Sequence, residues 1–248
     1  MAGHSHWAGI KHKKGAADAK RGRLFSKLAK YLIVAAREGG GDPDANLGLK
    51  YAIERARAEN MPKDVIERAI KKGTGEIEGV TYTELVYEGF GPQQVAVVLD
   101  ILTDNRNRTA AELRKVFERR GGNLGSPGSV VWMFETKGLF EVPSEGIDEE
   151  SLMEISLEAG AEDLHTEESS YQVLTAPEAF NEVRGALAKH GVNTTFAEVT
   201  RIPSSTIRIE DPGAARKVLG FVSELEDHED VQKVSANFDI PEEILEEE

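Results

Sequence analysis

The chain contains no cysteine and no long hydrophobic run, and each absence excludes a class of protein. Disulfide frameworks, thiolate zinc sites and cysteine nucleophiles all require cysteine. No apolar stretch approaches the roughly 20 residues that a membrane-spanning helix needs. With 248 residues, of which 40% are hydrophobic, the chain can form two or three packed domains. We therefore predict no association with a membrane, and we expect a cytoplasmic location, which a cysteine-free composition fits.

Positive charge is scarce overall, because the formal net charge is −14, but residues 1–37 reverse this balance. They hold nine Lys and Arg residues against one acid, Asp18, which is net +8 and leaves −22 on the rest of the chain. Such asymmetry is typical of a basic segment that meets a polyanion. The candidate nucleic-acid-binding residues in this segment are Trp7, Lys11, His12, Lys13, Lys14, Lys20, Arg21, Arg23, Lys27, Lys30 and Arg37.

The segment divides into a tail without hydrophobic periodicity, residues 1–15, and an amphipathic helix that begins near Asp18. We interpret the tail as part of the working protein rather than a transit peptide. Cations with an aromatic ring suit phosphate contact and base stacking. At about 100° per residue, one stripe of the helix is basic and is predicted to face solvent: Lys20, Arg23, Lys27 and Lys30. The alternative is a disordered terminus and a solvated helix face.

Hydrophobic periodicity predicts a first domain of three short helices, residues 1–78. The second helix is expected from Asp42 to about Glu59 with Leu47, Tyr51 and either Leu49 or Ile53 buried, and the third begins at Pro62. From residue 79 the pattern changes to α+β. Strands are predicted at 82–90, 94–102 and 130–134, and the second is expected to be central because Val95–Leu99 is nearly all apolar. They surround a helix that Thr103 or Asp104 caps and that buries Ala111, Leu113, Val116 and Phe117.

The order of predicted elements in residues 136–203 is βαββαβ, the ferredoxin-like plan. This segment has four bases and fourteen acids, net −10. Residues 204–248 add a helix and strands that residues 79–135 lack. We therefore predict a discontinuous middle domain, residues 79–135 with 204–248, interrupted by an inserted acidic domain, residues 136–203. The predicted class is α+β multidomain: a three-helix domain followed by two ferredoxin-like domains.

One further motif carries charge at a predicted strand-to-helix junction, the sequence TDNRNRT at 103–109. Free backbone N–H groups at such a junction favour an anion, and Arg106 and Arg108 add two guanidinium forks. The alternative is a capped helix whose arginines pair with nearby acids such as Glu112, and both interpretations stay open. The spacing of His4, His6 and His12 matches no closed metal-ligand set. No catalytic triad, Walker sequence or dinucleotide glycine pattern is present.

Several segments together resemble the YebC family. They are GHS at 3–5, Trp7, Ile10, His12, DAKRG at 18–22, AAREGGGDP at 35–43, NMPKD at 60–64, YEGFGP at 87–92, TDNRNRT at 103–109 and GGNLG at 121–125. The match is dense over residues 1–135 and looser beyond. His6, Gly9 and Gly15 stand where the family pattern has lysine, asparagine and alanine. The resemblance implies a helical first domain and two related α+β domains, with no cofactor and no catalytic residue.

The resemblance also implies a role in gene expression. Members of the YebC family are described as DNA-binding transcriptional regulators, as mitochondrial translational activators, and as ribosome-associated factors that relieve stalling at proline-rich stretches. We therefore predict a non-enzymatic regulator that binds DNA or ribosomal RNA, with acidic domains that can meet basic ribosomal proteins. No helix is rich in base-reading side chains, which favours backbone contact with structured RNA. The alternatives are a protein-interaction scaffold and a metal-dependent enzyme that processes phosphate groups.

Overall fold

The described chain folds as three helices followed by two four-stranded sheets with their helices and a two-stranded parallel sheet, which confirms the predicted fold class. A computed structural model describes residues 18–167, 169–241 and 243–244, without the side chains of residues 18–20. The helices are α1 (Asp18–Gly39), α2 (Leu47–Ala58), α3 (Lys63–Thr74), α4 (Arg106–Arg119), α5 (Glu149–Glu158), α6 (Phe180–Lys189) and α7 (Pro212–Asp227). The strands are β1 (Thr83–Phe90), β2 (Ala96–Thr103), β3 (Asn123–Leu124), β4 (Phe134–Pro143), β5 (Ala161–Thr166), β6 (Ser170–Thr175), β7 (Phe196–Pro203), β8 (Ile207–Arg208), β9 (Val231–Ala236) and β10 (Phe238–Asp239). None of the described helices combines the length and the apolar character that crossing a bilayer requires.

The described chain divides into two compact units. One contains Val130–Ala215 with residues 235–241, and the other contains residues 18–129 with Arg216–Val234. The sheet of the second unit is built from two distant stretches of sequence, because β9 lies beside β2. The middle α+β domain is therefore discontinuous. The three domain limits drawn from the sequence, 1–78, 79–135 with 204–248, and 136–203, stay predictions.

Helices α1, α2 and α3 share one core, which their apolar stripes form. Its buried members are Leu28, Leu32, Ile33, Ala36, Leu49, Ala52, Ile53, Ala56, Met61, Ile66 and Ala69. Many of these side chains are small, so the helices approach closely. At Gly73 on α3, an added Cβ would lie 2.4 Å from the carbonyl oxygen of Ile33 on α1. Only glycine fits that crossing.

Asn46 fixes the turn between α1 and α2. Its side-chain amide donates to the carbonyl oxygens of Ala35 at 2.7 Å and Gly40 at 2.8 Å. Its side-chain oxygen accepts the backbone N–H of Leu49 at 3.0 Å, which caps α2. The helix therefore begins about one turn later than its predicted start, and Leu47 is exposed rather than buried.

The sheet of the second unit has the order β3-β1-β2-β9. Strands β1 and β2 form an antiparallel hairpin, and β2 is buried along nearly its whole length, as predicted for a central strand. The rings of Phe117 on α4 and Phe221 on α7 meet edge to face, with centroids 5.0 Å apart. These rings lie close to Gly89 and Gly91, so both helices pack on the same face of the hairpin.

Helix α4 differs from the prediction at its start and at one position of its buried face. Asn105, rather than Thr103 or Asp104, is the N-cap, and its side-chain oxygen accepts the backbone N–H of Arg108 at 3.1 Å. Thr103 instead lies fully buried at the end of β2. Ala111 is exposed, contrary to the prediction, because the buried face of the helix is formed by Thr109, Leu113, Val116 and Phe117.

The sheet of the first unit has the order β5-β6-β4-β7, with every neighbouring pair antiparallel. With α5 and α6, this order is the ferredoxin-like arrangement predicted from the sequence. Its core includes stacked rings of Phe140 and Phe180, whose centroids lie 4.6 Å apart. The strand predicted at 130–134 is wrong: Val131–Met133 forms a 3₁₀ turn, and β4 begins only at Phe134.

We expect residues 134–203 to fold when expressed alone, because this segment contains every strand and helix of its sheet and its own core. Thermal unfolding followed by circular dichroism should show one cooperative transition. Residues 79–135 are the control, since their sheet lacks β9 without the distant stretch. The prediction fails if the first segment melts without cooperativity or the second melts with it.

Candidate nucleic-acid interface

The structure leaves the predicted tail contacts untested. Trp7, Lys11, His12, Lys13 and Lys14 lie outside the described residues, as does the side chain of Lys20. The remaining candidates lie on α1 and at the start of α4. Their burial and partners decide which of them can reach a polyanion.

Three residues of the basic stripe of α1 contact an acidic stretch of the protein, and the predicted exposure is wrong for Lys30, which is buried. Arg23 and Lys27 are half-buried, and the side chain of Lys20 lies outside the described residues. Residues 224–230, here called the acidic segment, hold five acids: Glu224, Glu226, Asp227, Glu229 and Asp230. Arg23 lies 3.5 Å from a carboxylate oxygen of Asp227. Lys27 donates to the backbone carbonyl of Glu226.

Lys30 makes the tightest of these contacts. Its ammonium donates to Oδ1 of Asp230 at 2.7 Å and to the carbonyl of Glu229 at 3.2 Å. The Lys30 side chain is 6% exposed and that of Asp230 only 2%. The ammonium also lies 5.5 Å from the centre of the Tyr82 ring, a cation–π distance. Lys30 therefore serves the fold, and we remove it from the candidate interface.

Asp230 collects donors from three other parts of the chain. Its Oδ2 accepts hydrogen bonds from Arg108 at 2.9 Å, Thr109 at 2.7 Å and Thr103 at 3.1 Å, while Oδ1 faces Lys30. The hydroxyl of Thr109 lies 2.8 Å from that of Thr103, which places both at one carboxylate oxygen. The cluster joins α1, the end of β2, the first turn of α4 and the start of β9.

Burial and hydrogen bonding act in opposite directions on this carboxylate. Burial alone would raise the pKa of Asp230, but the hydrogen bonds from Lys30, Arg108 and Thr109 favour the ionised form and hold the pKa well below its usual value. Asp230 is therefore ionised near neutral pH.

For Tyr82, burial raises the pKa of the phenol, and the nearby charges of Asp104 and Glu229 add to the shift.

The two arginines of the 103–109 motif have different surroundings. Arg108 donates to Asp104 at 2.8 Å as well as to Asp230, and these bonds raise the pKa of its guanidinium. Arg106 is exposed, and its guanidinium has no hydrogen-bond or ion-pair partner within the described ranges. The structural interpretation therefore fits Arg108, with Asp104 and Asp230 as partners in place of the predicted Glu112. The anion-contact interpretation remains for Arg106.

Two other predicted residues of α1 stay accessible. Arg21 is exposed, and its guanidinium lies 5.4 Å from the centre of the Phe25 ring. Arg37 is exposed and donates to the backbone carbonyl of Val80 at 3.3 Å. Neither contact neutralises the positive charge. Both residues can therefore attract an anion.

Glu112, His228 and Asp230 place one ligand atom each within 4.8 Å of one another, which is compatible in distance with a metal site. The surroundings oppose it. His228 accepts the backbone N–H of Asp230 on Nδ1 at 3.1 Å, and its Nε2 lies 3.1 Å from Glu112. Asp230 already accepts bonds from two cations, and a metal ion would have to displace them. We interpret the three residues as a structural hydrogen-bond chain.

The cluster of Asp230 with Thr103 and Thr109 was not predicted from the sequence. A signal for Asp230 was present, because five acids in seven residues stand in a chain whose first helix carries a basic stripe. Opposite charges of this density attract each other, but they do not indicate which residues meet. The threonines gave no comparable signal, since a buried hydroxyl pair depends on the tertiary arrangement.

The comparisons with known proteins now decide the family. Residues 5–76 match the TACO1/YebC protein N-terminal domain, and residues 82–238 match the TACO1/YebC second and third domain. The chain belongs to the TACO1/YebC family. This finding confirms the resemblance seen in the sequence.

Relatives of this TACO1/YebC chain match it over nearly the full length. A probable transcriptional regulatory protein of Dictyoglomus turgidum is 54% identical over 246 residues, covering 99% of this chain and 98% of the relative. Another of that description, from Natranaerobius thermophilus, is 54% identical over 249 residues, covering 99% of both. The crystal structure of a conserved hypothetical protein from Aquifex aeolicus is similar with a TM-score of 0.84 and 51% identity, covering 97% of this chain and 99% of that one.

We expect Asp230→Asn to lower the free energy of unfolding at neutral pH by about 3 kcal/mol, because Lys30 stays buried without its carboxylate. The melting temperature should fall accordingly. The pKa of Asp230 is lower in the folded protein than in the unfolded chain. Its stabilising contribution is therefore present above about pH 4 and is lost as the pH falls toward the folded value. Melting curves of both proteins should converge as the solution is acidified.

Asp227→Asn is the matched control, since Asp227 pairs with Arg23 at 3.5 Å and both side chains are more than 40% exposed. Its loss should cost no more than about 1 kcal/mol. A difference between wild type and Asp230→Asn that stays constant with pH would contradict the assigned role of the carboxylate.

We expect Arg108→Ala to lower the free energy of unfolding by about 1–2 kcal/mol, and with it the melting temperature, since the change removes a charged hydrogen bond from a buried carboxylate. Arg106→Ala should leave the melting temperature unchanged, because its guanidinium has no partner in the part of the chain that the structure describes. Differential scanning calorimetry on both variants tests this. Equal melting temperatures for the two variants would refute the division.

Proposed function

We propose that this protein is a non-enzymatic, cytoplasmic regulator of gene expression that binds nucleic acid through its N-terminal segment. The observation that carries the proposal is the net charge of +8 on residues 1–37 in a chain of −14. Family membership supports it, because the relatives from Dictyoglomus turgidum and Natranaerobius thermophilus are named as transcriptional regulatory proteins. An acidic protein would gain no solubility from collecting its cations at one end, so solubility does not explain their position.

The internal ion pairs narrow the proposed interface. Arg23, Lys27 and Lys30 contact the acidic segment, so a polyanion would have to displace protein groups to reach them. The cations left for the interface are those of the tail, Lys20 on α1 and the exposed arginines. They are Lys11, Lys13, Lys14, Lys20, Arg21 and Arg37, with Trp7 and His12 available for stacking on bases.

The proposed target is structured RNA, as in a ribosome, with duplex DNA as the alternative. Side chains that read base edges in a DNA groove are mainly Arg, Asn and Gln on one helix face. Helix α1 contains neither Asn nor Gln. Contact through phosphates and shape, which dominates recognition of double-stranded RNA, fits such a composition.

A protein-interaction scaffold is the second candidate function, and the acidic insert favours it. Residues 136–203 carry net −10, a charge that suits contact with basic proteins such as those of a ribosome. The two functions are compatible in one protein. They differ in that binding through the insert would persist after nuclease treatment.

We expect deletion of residues 1–15 to flatten the salt dependence of RNA binding, because three lysines are lost and each phosphate contact contributes about 0.9 to the slope of log affinity against log salt. Fluorescence anisotropy with a labelled RNA hairpin and the DNA hairpin of the same sequence measures the slope. Arg21→Gln with Arg37→Gln should flatten it further. An unchanged slope after both changes would refute the proposal.

Arg23→Gln with Lys27→Gln is the matched control, since it removes the same number of charges from the same helix at positions that the acidic segment occupies. Its slope should equal that of the wild type. Co-sedimentation with ribosomes, with and without nuclease, then separates RNA contact from contact with ribosomal proteins.

A further inference from the structure

Helix α4 is a second basic element in this acidic protein. Residues 106–120 hold six Lys and Arg residues against two acids, net +4. The cations of α1 and α4 differ in their partners. Arg23, Lys27 and Lys30 on α1 contact carboxylates and backbone carbonyls, whereas only some of the cations on α4 have such partners.

Three of the four cations near the two ends of α4 are neutralised. Arg108 in the first turn bonds Asp104 and Asp230. At the other end, Arg119 and Arg120 both contact the carboxylate of Glu224, Arg120 through Nε at 2.6 Å. These cations hold the helix in its unit.

The middle of the solvent face is not neutralised. Arg114 and Lys115 are exposed, and neither side chain has a hydrogen-bond or ion-pair partner in the described portion of the chain. Arg106 shares this condition at the start of the helix. Glu118 lies one turn beyond, where its charge opposes the cations without a contact that would fix them.

The shape of this face admits a close approach. Helical spacing places Ala111 between Arg108 and Lys115, because residues three and four apart are neighbours on a helix. Ala111 and Asn107 are both exposed and short. Cations flanking small side chains allow a backbone of phosphates to lie near the helix surface.

We propose that the solvent face of α4, centred on Arg114 and Lys115, is a second contact surface for the phosphate backbone of structured RNA. This rests on the proposed function, and adds a surface to it. The face carries Arg, Lys and Ala but only one amide side chain, Asn107, so it suits backbone contact rather than base reading. RNA recognised by shape and phosphates matches that composition.

The test uses the full chain and a fluorescein-labelled RNA hairpin, with the DNA hairpin of the same sequence in a parallel arm. Arg114→Gln with Lys115→Gln should weaken RNA binding about tenfold at moderate salt and lower the salt slope by about two. The charge-preserving pair, Arg114→Lys with Lys115→Arg, should bind like the wild type. Melting temperatures on the same preparations check that each variant is folded.

The matched control is Arg184→Gln with Lys189→Gln, which removes one Arg and one Lys from helix α6 of the acidic insert. It should leave the RNA affinity and slope unchanged. If the control weakens binding as much as the α4 variant, or the α4 variant binds like the wild type, this second surface is refuted and the proposed function stands. If the wild type binds neither hairpin, both fall. Tighter binding of the DNA hairpin would overturn the choice of RNA.

Discussion

The buried carboxylate of Asp230 is the constraint on which the second unit depends. An ionised carboxylate removed from water costs several kcal/mol unless cations and hydrogen bonds replace its hydration. Lys30, Arg108, Thr103 and Thr109 supply those partners, and they come from α1, β2 and α4. Because one side chain needs all of them at once, the helical segment and both stretches of the discontinuous sheet must adopt a single arrangement.

This constraint sorts the cations of the protein by role. A lysine stripe on an amphipathic helix is usually interpreted as a solvated or nucleic-acid-binding face, and that interpretation is wrong for Lys30, which is buried against Asp230. Arg23 and Lys27 also contact the acidic segment, although the Arg23 side chain stays 41% exposed. Within the described residues, Arg114 and Lys115 on the outer face of α4 have no hydrogen-bond or ion-pair partner. Net charge along the sequence shows where cations are concentrated, and only the partners show which are available.

The sequence predicted the fold better than the site, for a physical reason. Hydrophobic periodicity is local, so the three helices, the central strand β2 and the βαββαβ order of the insert were all predictable. Helix starts were predicted less well. Asn46 and Asn105 cap α2 and α4, whereas the starts were expected at Asp42 and at Thr103 or Asp104. The Asp230 cluster joins residues as much as 200 positions apart, and no local pattern encodes such a contact.

The two kinds of cation also respond differently to salt. A buried pair such as Lys30 with Asp230 is screened little, whereas exposed charges separated from their partner by a Debye length, about 8 Å at physiological ionic strength, are screened strongly. Changes in ionic strength therefore act on the exposed cations and leave the internal cluster intact. Salt would thus release a polyanion bound at the proposed interface while the helical segment stays docked on its sheet. The acidic segment contributes to this difference between the cations, because its carboxylates and a backbone carbonyl bind Arg23, Lys27 and Lys30.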